Sequence, residues 1–315
     1  MPSPPRHQWM KYLFVTIIPL VVAVLQGTVG EASVPIYFTM AVPAIVWLIF
    51  PISVITYAAI KKRWQWVFVN IAVFLVIALL QSAYCLGNSI TPQGETMRVM
   101  TLNVQLFNNY TIQEVANSIR KENPDVVCLQ EMPTTGKEQE FAGLLKEYDF
   151  VIARRLAVAT RLPVTQGRQV QLRGDARRAL IVDMRFRGKS IKVINVHLQH
   201  FPSDDFAKVG EASKNLVEEI TGLERFVSAA SGPTIVSGDL NSIPQGRVNR
   251  MLRSHLTECF AATARGYGFT LPATLPVRRV DYIYAGFGFV PAACKVSDAI
   301  VSDHRAVVAD IALPD

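Results

Sequence analysis

Hydropathy divides this chain before any motif does. Three apolar stretches, Tyr12–Val29, Val34–Ile60 and Trp64–Leu86, fill most of the sequence before residue 88, and none carries an internal charge. Each is long enough to cross a hydrocarbon core of about 30 Å as a helix. Pro19, Pro43 and Pro51 are compatible with such spans, because neighbouring helices can cover the carbonyls that a proline frees. A cleaved signal peptide accounts poorly for the first stretch, since no convincing small-residue cleavage site follows it and two more apolar stretches do. The expectation is a membrane domain over 1–88 with about three transmembrane helices, a turn-rich linker over 89–96 and a soluble domain over 97–315.

Charge gives this arrangement a direction. The formal net charge is +7; residues 1–63 hold Arg6, Lys11, Lys61, Lys62 and Arg63 against Glu31, a share of +4, which leaves +3 for the rest. The soluble part is only mildly basic, and its net charge alone does not call for nucleic acid. Cations before the first span and between the second and third place the N-terminus and the second loop in the cytoplasm. Three crossings then leave the soluble domain extracytoplasmic, as in a multi-pass protein of a bacterial inner membrane. The spans lack the ionisable residues of a substrate path, which argues against transport.

Beyond the linker, strand and helix patterns alternate. Arg98–Val104 reads as a strand, and the capping box Thr111-Ile-Gln-Glu114 opens a helix to about Lys121. A strand Val126–Leu129 ends at Glu131, followed by a short helix Glu138–Tyr148 and a strand from Phe150. Arg178–Phe186 and Lys189–Val196, joined at Arg187-Gly188, form a hairpin signal. A long helix from about Ser203 to Ala229 comes next, and the last strands are Val280–Ala285 and His304–Ile311.

The stretch Pro233–Pro244, PTIVSGDLNSIP, reads as a buried strand that breaks at Gly238 and delivers Asp239 and Asn241 to a loop. By itself this pair is also an ordinary turn. Other strand ends repeat the pattern: Asn103 in TLNVQLF, Glu131 in VVCLQE, His197 in INVHLQH, Asp281 in RRVDYIY and Asp303-His304 in SDH. Each alone has a plain structural reading, Glu131 as a solvated strand terminus and His197 as a core histidine. Together they set acids, histidines and amides at the ends of successive strands, where ligand sites of layered α/β folds lie.

These motifs, in this order from Met97 to Leu313, make the sequence resemble the endonuclease/exonuclease/phosphatase superfamily. The resemblance implies an α/β fold, a four-layered α/β sandwich with two mixed sheets between helices. It implies a magnesium-dependent phosphoester hydrolase, with manganese as a possible substitute. Carried over by motif, Glu131 is the metal ligand, assisted by Asn103, with Asp303 on the metal side. Asp281 orients and charges His304; Asp239 and Asn241 position the phosphate or the attacking water; His197 is the second histidine, also in contact with substrate. The chemistry fits, because a hard cation prefers carboxylate and water oxygens and a phosphodiester needs its charge neutralised before an in-line water attacks.

Gln105 stands where abasic-site endonucleases of this group have an aspartate, and His197 replaces the tyrosine-bearing pattern of that branch, so abasic-site repair is not expected. Substrate candidates are a lipid headgroup or nucleic acid outside the cytoplasm, with the membrane as the other partner and no protein partner inferable. The rival of another class is a catalytically silent, membrane-anchored binding module. From Arg154 to Lys192 eleven Lys/Arg face only Asp175 and Asp183, either a solvated face or an anionic docking surface. Cys128 reads as a buried hydrophobe, and Cys259 and Cys294 could pair in an oxidising compartment.

Overall fold

Helices α1 (Arg6–Thr28) and α4 (Trp64–Ser82) dominate the N-terminal part of the computed structural model, which describes residues 6–40, 42, 44–88, 94–174, 177–200 and 206–314. Between them come α2 (Val34–Met40), a 3-10 segment (Ala44–Leu48) and α3 (Ile49–Ile60). The expectation of three spans is corrected here. Among the described residues two helices are long and apolar enough to cross a membrane, Met10–Thr28 and Trp64–Ser82, of 19 residues each. The 12 residues of α3 rise only about 18 Å, well short of the apolar thickness. Pro51 lies in the first turn of α3, where its missing N–H costs nothing and where a helix starts instead of running through. Pro43 lies outside the described residues. Thr16 Oγ1 donates to Asn70 Oδ1 at 3.2 Å, tying α1 to α4 with a buried polar contact of the kind that joins helices in apolar surroundings.

The chain packs as two units, Met1–Tyr84 with Gln245–Arg247, and Cys85–Pro244 with Val248–Asp315. The second begins with β1 (Thr96–Asn103), α5 (Ile112–Glu122), β2 (Val126–Gln130), α6 (Lys137–Leu144), β3 (Asp149–Ala153), β4 (Leu156–Thr160) and β5 (Val164–Arg173). Next come β6 (Arg177–Phe186), β7 (Lys189–His197), α7 (Phe206–Ser228), β8 (Thr234–Asp239), α8 (Arg247–Arg253), β9 (Thr257–Glu258) and α9 (Cys259–Thr263). The last strands are β10 (Asp281–Gly286), β11 (Val290–Val296) and β12 (Val307–Ala312). Two six-stranded sheets result, in the orders β11-β12-β1-β2-β4-β3 and β5-β6-β7-β8-β10-β9. Each is mixed: β1–β2 and β7–β8 run parallel, while the other pairs are antiparallel. This is the expected α/β sandwich. Residues of α5 and α6 cover the outer face of the first sheet. Helix α7 lies against β5 of the second, so closely that a Cβ at Gly222 would collide with the Leu172 backbone.

The capping box at Thr111 is present, and the Arg187-Gly188 hairpin joins β6 to β7. The expected helix start near Ser203 lies outside the described residues. Strands β4, β5, β9 and β11 and helices α8 and α9 lie outside the expected elements. Strand β5 is a polar edge strand whose glutamines and arginines mask any alternation, and LAVAT in β4 is too short and evenly apolar to show a period. The four cysteines are free thiols.

The two-residue period of the strands explains where the polar residues go. Side chains facing the other sheet read Val99-Thr101-Asn103 on β1, Val126-Cys128-Gln130 on β2, Val193-Asn195-His197 on β7 and Ile235-Ser237-Asp239 on β8. Each inner face passes from hydrocarbon to polar toward the same end of the sandwich. One layer below that end, Asn195 donates to the carbonyls of Leu129 and Ala157, both at 2.9 Å, and accepts from Gln130 Nε2 at 2.8 Å. A fully buried amide thus pins β7 to the facing sheet.

Candidate active site

The polar end of the sandwich gathers side chains distant in sequence. Strands β8 and β10 pair so that Asp239 lies opposite Asp281, and β7 and β8 so that His197 lies beside Asp239. Gly238, with φ +145°, allows this closeness, because a Cβ there would collide with the Val196 carbonyl oxygen. Asn103 Nδ2 donates to Glu131 Oε1 at 3.0 Å and to Asp239 Oδ2 at 3.1 Å, so one amide spans carboxylates from both sheets. Its Oδ1 accepts from the Gln105 backbone at 3.0 Å. His197 Nε2 stands 3.7 Å from both Glu131 and Asp239.

His304 Nδ1 lies 2.9 Å from Asp281 Oδ2, and its Nε2 lies 3.9 Å from Asp239 Oδ2. Burial works against the imidazolium, but Asp281, Asp239 and Asp303 outweigh it and raise the His304 pKa to about 10. Burial likewise pushes the Asp281 carboxyl up, against the pull of His304. Asp239 Oδ1 accepts from the Asn241 backbone at 2.9 Å, and Asn241 Nδ2 donates to the Leu198 carbonyl at 3.1 Å. Asp303 stands at the rim, where its carboxylate accepts from Ser302 and its carbonyl accepts from Ala273. No described hydrogen bond or ion pair joins its carboxylate to Glu131 or Asn103.

Backbone strain concentrates here. Gln105, Leu106, Phe107, Glu131, Arg154 and Asn241 all adopt left-handed φ between +47° and +56° at this edge. For non-glycine residues that costs of order 1–3 kcal/mol each and is retained at functional sites. One further residue is His200, whose Nδ1 lies 3.3 Å from Asn241 Oδ1. It is the second histidine of HLQH, three residues beyond His197, and falls in a segment without periodicity that gave it no distinguishing signal.

The donor set suits a hard divalent cation. Glu131, Asp239 and Asp281 supply carboxylate oxygens, and no cysteine belongs to the cluster. The ligand atoms of Asp239, Asp281 and His304 lie within 4.8 Å of one another. In that trio, however, His304 Nδ1 is committed to Asp281. Glu131, whose side chain is 27% exposed, is the more accessible oxygen donor beside Asp239.

Residues 100–304 match the Endonuclease/Exonuclease/phosphatase family, which is most of the chain, and the chain belongs to that family. Members of the family are generally divalent-metal-dependent phosphoesterases or nucleases. Among solved structures, it is similar to an endonuclease/exonuclease/phosphatase from Bacteroides vulgatus, with a TM-score of 0.59 at 18% identity over 70% of this chain and all of that one. A second, from Beutenbergia cavernae, has a TM-score of 0.51 at 23% identity over 69% of this chain and 72% of that one. A third, D. rerio TDP2 complexed with a single-strand DNA product, has a TM-score of 0.58 at 15% identity over 69% of this chain and 99% of that one. No curated protein matches.

Proposed function

We propose that this chain is a magnesium-dependent phosphoesterase tethered to a membrane through α1 and α4, with residues 97–315 as its catalytic domain. The observation that carries the reading is the meeting of Glu131, Asp239 and His304, drawn from both sheets, around the amide of Asn103. Glu131 would hold the ion with Asn103 and Asp303 beside it. When bound, the cation neutralises charge on the phosphoryl oxygens.

The chain's own groups divide the remaining work. His304, kept protonated beside Asp281, donates a hydrogen bond from Nε2 toward a phosphoryl oxygen. Asp239, its carboxylate oriented by the Asn241 backbone at Oδ1 and by Asn103 at Oδ2, is placed to accept a proton from the attacking water. Asn241 and His197 orient the substrate. Asp239 is assigned the base because His304 Nδ1 is committed to Asp281 while the Asp239 carboxylate faces the free Nε2.

The substrate class is a phosphate ester of a lipid headgroup or of nucleic acid; the relative solved with a single-strand DNA product supports the second, and the two apolar helices support the first. With α1 and α4 as the two spans, Lys61, Lys62 and Arg63 between them lie on the cytoplasmic side by the positive-inside preference, which puts the N-terminus and the catalytic domain together outside the cytoplasm. A C-terminal alkaline phosphatase fusion tests the side, and an inactive fusion rules this placement out. Activity is tested on the full chain in detergent, with magnesium or chelator, against single-stranded DNA and headgroup phosphoesters. Absence of metal-dependent turnover on every substrate would overturn the assignment.

A further inference from the structure

Most described arginines of the basic stretch already have partners. Arg161 donates to Asn123 Oδ1 at 2.6 Å, Arg168 pairs with Asp183 at 2.5 Å, Arg173 faces Glu219 at 3.6 Å and Arg187 donates to the Leu313 carbonyl at 3.1 Å. Arg154 and Arg155 differ. Both are exposed, and neither guanidinium has a hydrogen-bond or ion-pair partner among the described residues. Arg185 shares that state but lies at the opposite end of the sandwich, in the register beside Ser190.

Register fixes where the pair stands. Strands β2 and β4 match Gln130 to Leu156, and the Met132 N–H donates to the Arg155 carbonyl at 3.0 Å. Arg155 is therefore the residue across from Glu131, about 5 Å away at the backbone. The turn is tight and strained: Arg154 holds φ +55°, a conformation that glycine or asparagine adopts at lower cost. Strain kept at an arginine beside the candidate metal ligand points to use of the side chain. A guanidinium offers a planar fork of donors matched to phosphate oxygens.

We propose that the Arg154-Arg155 turn is a subsite for a second, uncleaved phosphate on the substrate, so that the chain acts on molecules with at least two neighbouring phosphates. Placement within one strand spacing of Glu131 favours a group on the same molecule over a bulk anionic surface, which cations anywhere on the exterior could serve. The next phosphate of a single nucleic-acid strand and a second phosphate on a lipid headgroup present the same chemistry. The proposal rests on the phosphoesterase reading for its catalytic arm only.

The test compares the full-length wild type with the double variant Arg154→Gln/Arg155→Gln and with Arg185→Gln, in detergent with magnesium. Substrates are bis(4-nitrophenyl) phosphate, a short oligothymidylate and a soluble glycerophosphoinositol bisphosphate. The double variant raises KM about tenfold for a substrate with a second phosphate, leaves kcat and the single-phosphate diester unchanged, and Arg185→Gln changes nothing. Whichever two-phosphate substrate responds identifies the source. Equal effects on all substrates, no effect on any, or the same effect from Arg185→Gln overturns the subsite. If the wild type turns over none of them, the phosphoesterase reading falls by itself. Fluorescence anisotropy of the labelled oligothymidylate and headgroup then reads the subsite, and equal binding by wild type and double variant overturns it. So does a loss confined to phosphatidylserine vesicles, which would make the turn a membrane contact.

Discussion

His304 Nδ1 lies 2.9 Å from Asp281 Oδ2, with the histidine side chain only 7% exposed and the aspartate fully buried. A histidine so placed is fixed in orientation, and its free nitrogen is aimed at Asp239.

Loss of either member should disable chemistry without unfolding the domain. His304→Gln and Asp281→Asn are expected to lower kcat by about 10²–10³-fold, the range for losing a preorganised donor aimed at developing charge. Steady-state kinetics beside far-UV circular dichroism checks this; a variant with normal spectrum and normal kcat removes the pair from the mechanism.

The same pair makes a signed statement about pH. The folded His304 pKa, about 10, exceeds the unfolded value of about 6.5. Its stabilising contribution is therefore complete below about pH 6.5 and is lost as pH rises toward 10. In chelator, the melting-temperature advantage of wild type over His304→Gln should shrink steadily across that window. An advantage that is constant or grows contradicts the assignment.

Magnesium should act as a stabilising ligand. At about one hundred times its Kd, a bound ion adds roughly 2.7 kcal/mol to unfolding free energy. Wild type should show this as a rise in melting temperature that chelator reverses, and Glu131→Gln should lose most of it. A full rise in Glu131→Gln would move the ion elsewhere.

Asn195 is expected to matter for stability before catalysis. Asn195→Leu leaves the Leu129 and Ala157 carbonyls without the partner described above, at a cost of about 2–4 kcal/mol. Urea unfolding measures it, and a change under 1 kcal/mol would mean that water or repacking replaces the amide.

His200 is expected to tune Asn241. His200→Ala should lower kcat/KM about 2- to 10-fold, the range of a single hydrogen bond, through the freed Asn241 carbonyl oxygen. Unaltered kinetics would leave His200 a bystander.

Much of the candidate site could be read from the chain because strands alternate. In VINVH, IVSGD and VMTLN the last residue falls on the face that carries valine or isoleucine four positions earlier, so it must end inside the sandwich and not on its surface. The same rule failed for the middle apolar stretch, where hydropathy does not report helix length and Pro51 starts a helix that composition alone joins to its neighbours. It failed again for Arg154 and Arg155, whose nearness to Glu131 depends on the pairing of β2 with β4, a long-range fact absent from either segment. His200 was invisible for the same reason: its partner is forty-one positions away.

The amide of Asn195 is anchored to main-chain oxygens, not to side chains. Positions 129 and 157 can therefore change identity without loosening the clamp, provided that their strands keep step. A polar end held this way tolerates wide drift in the surrounding alphabet.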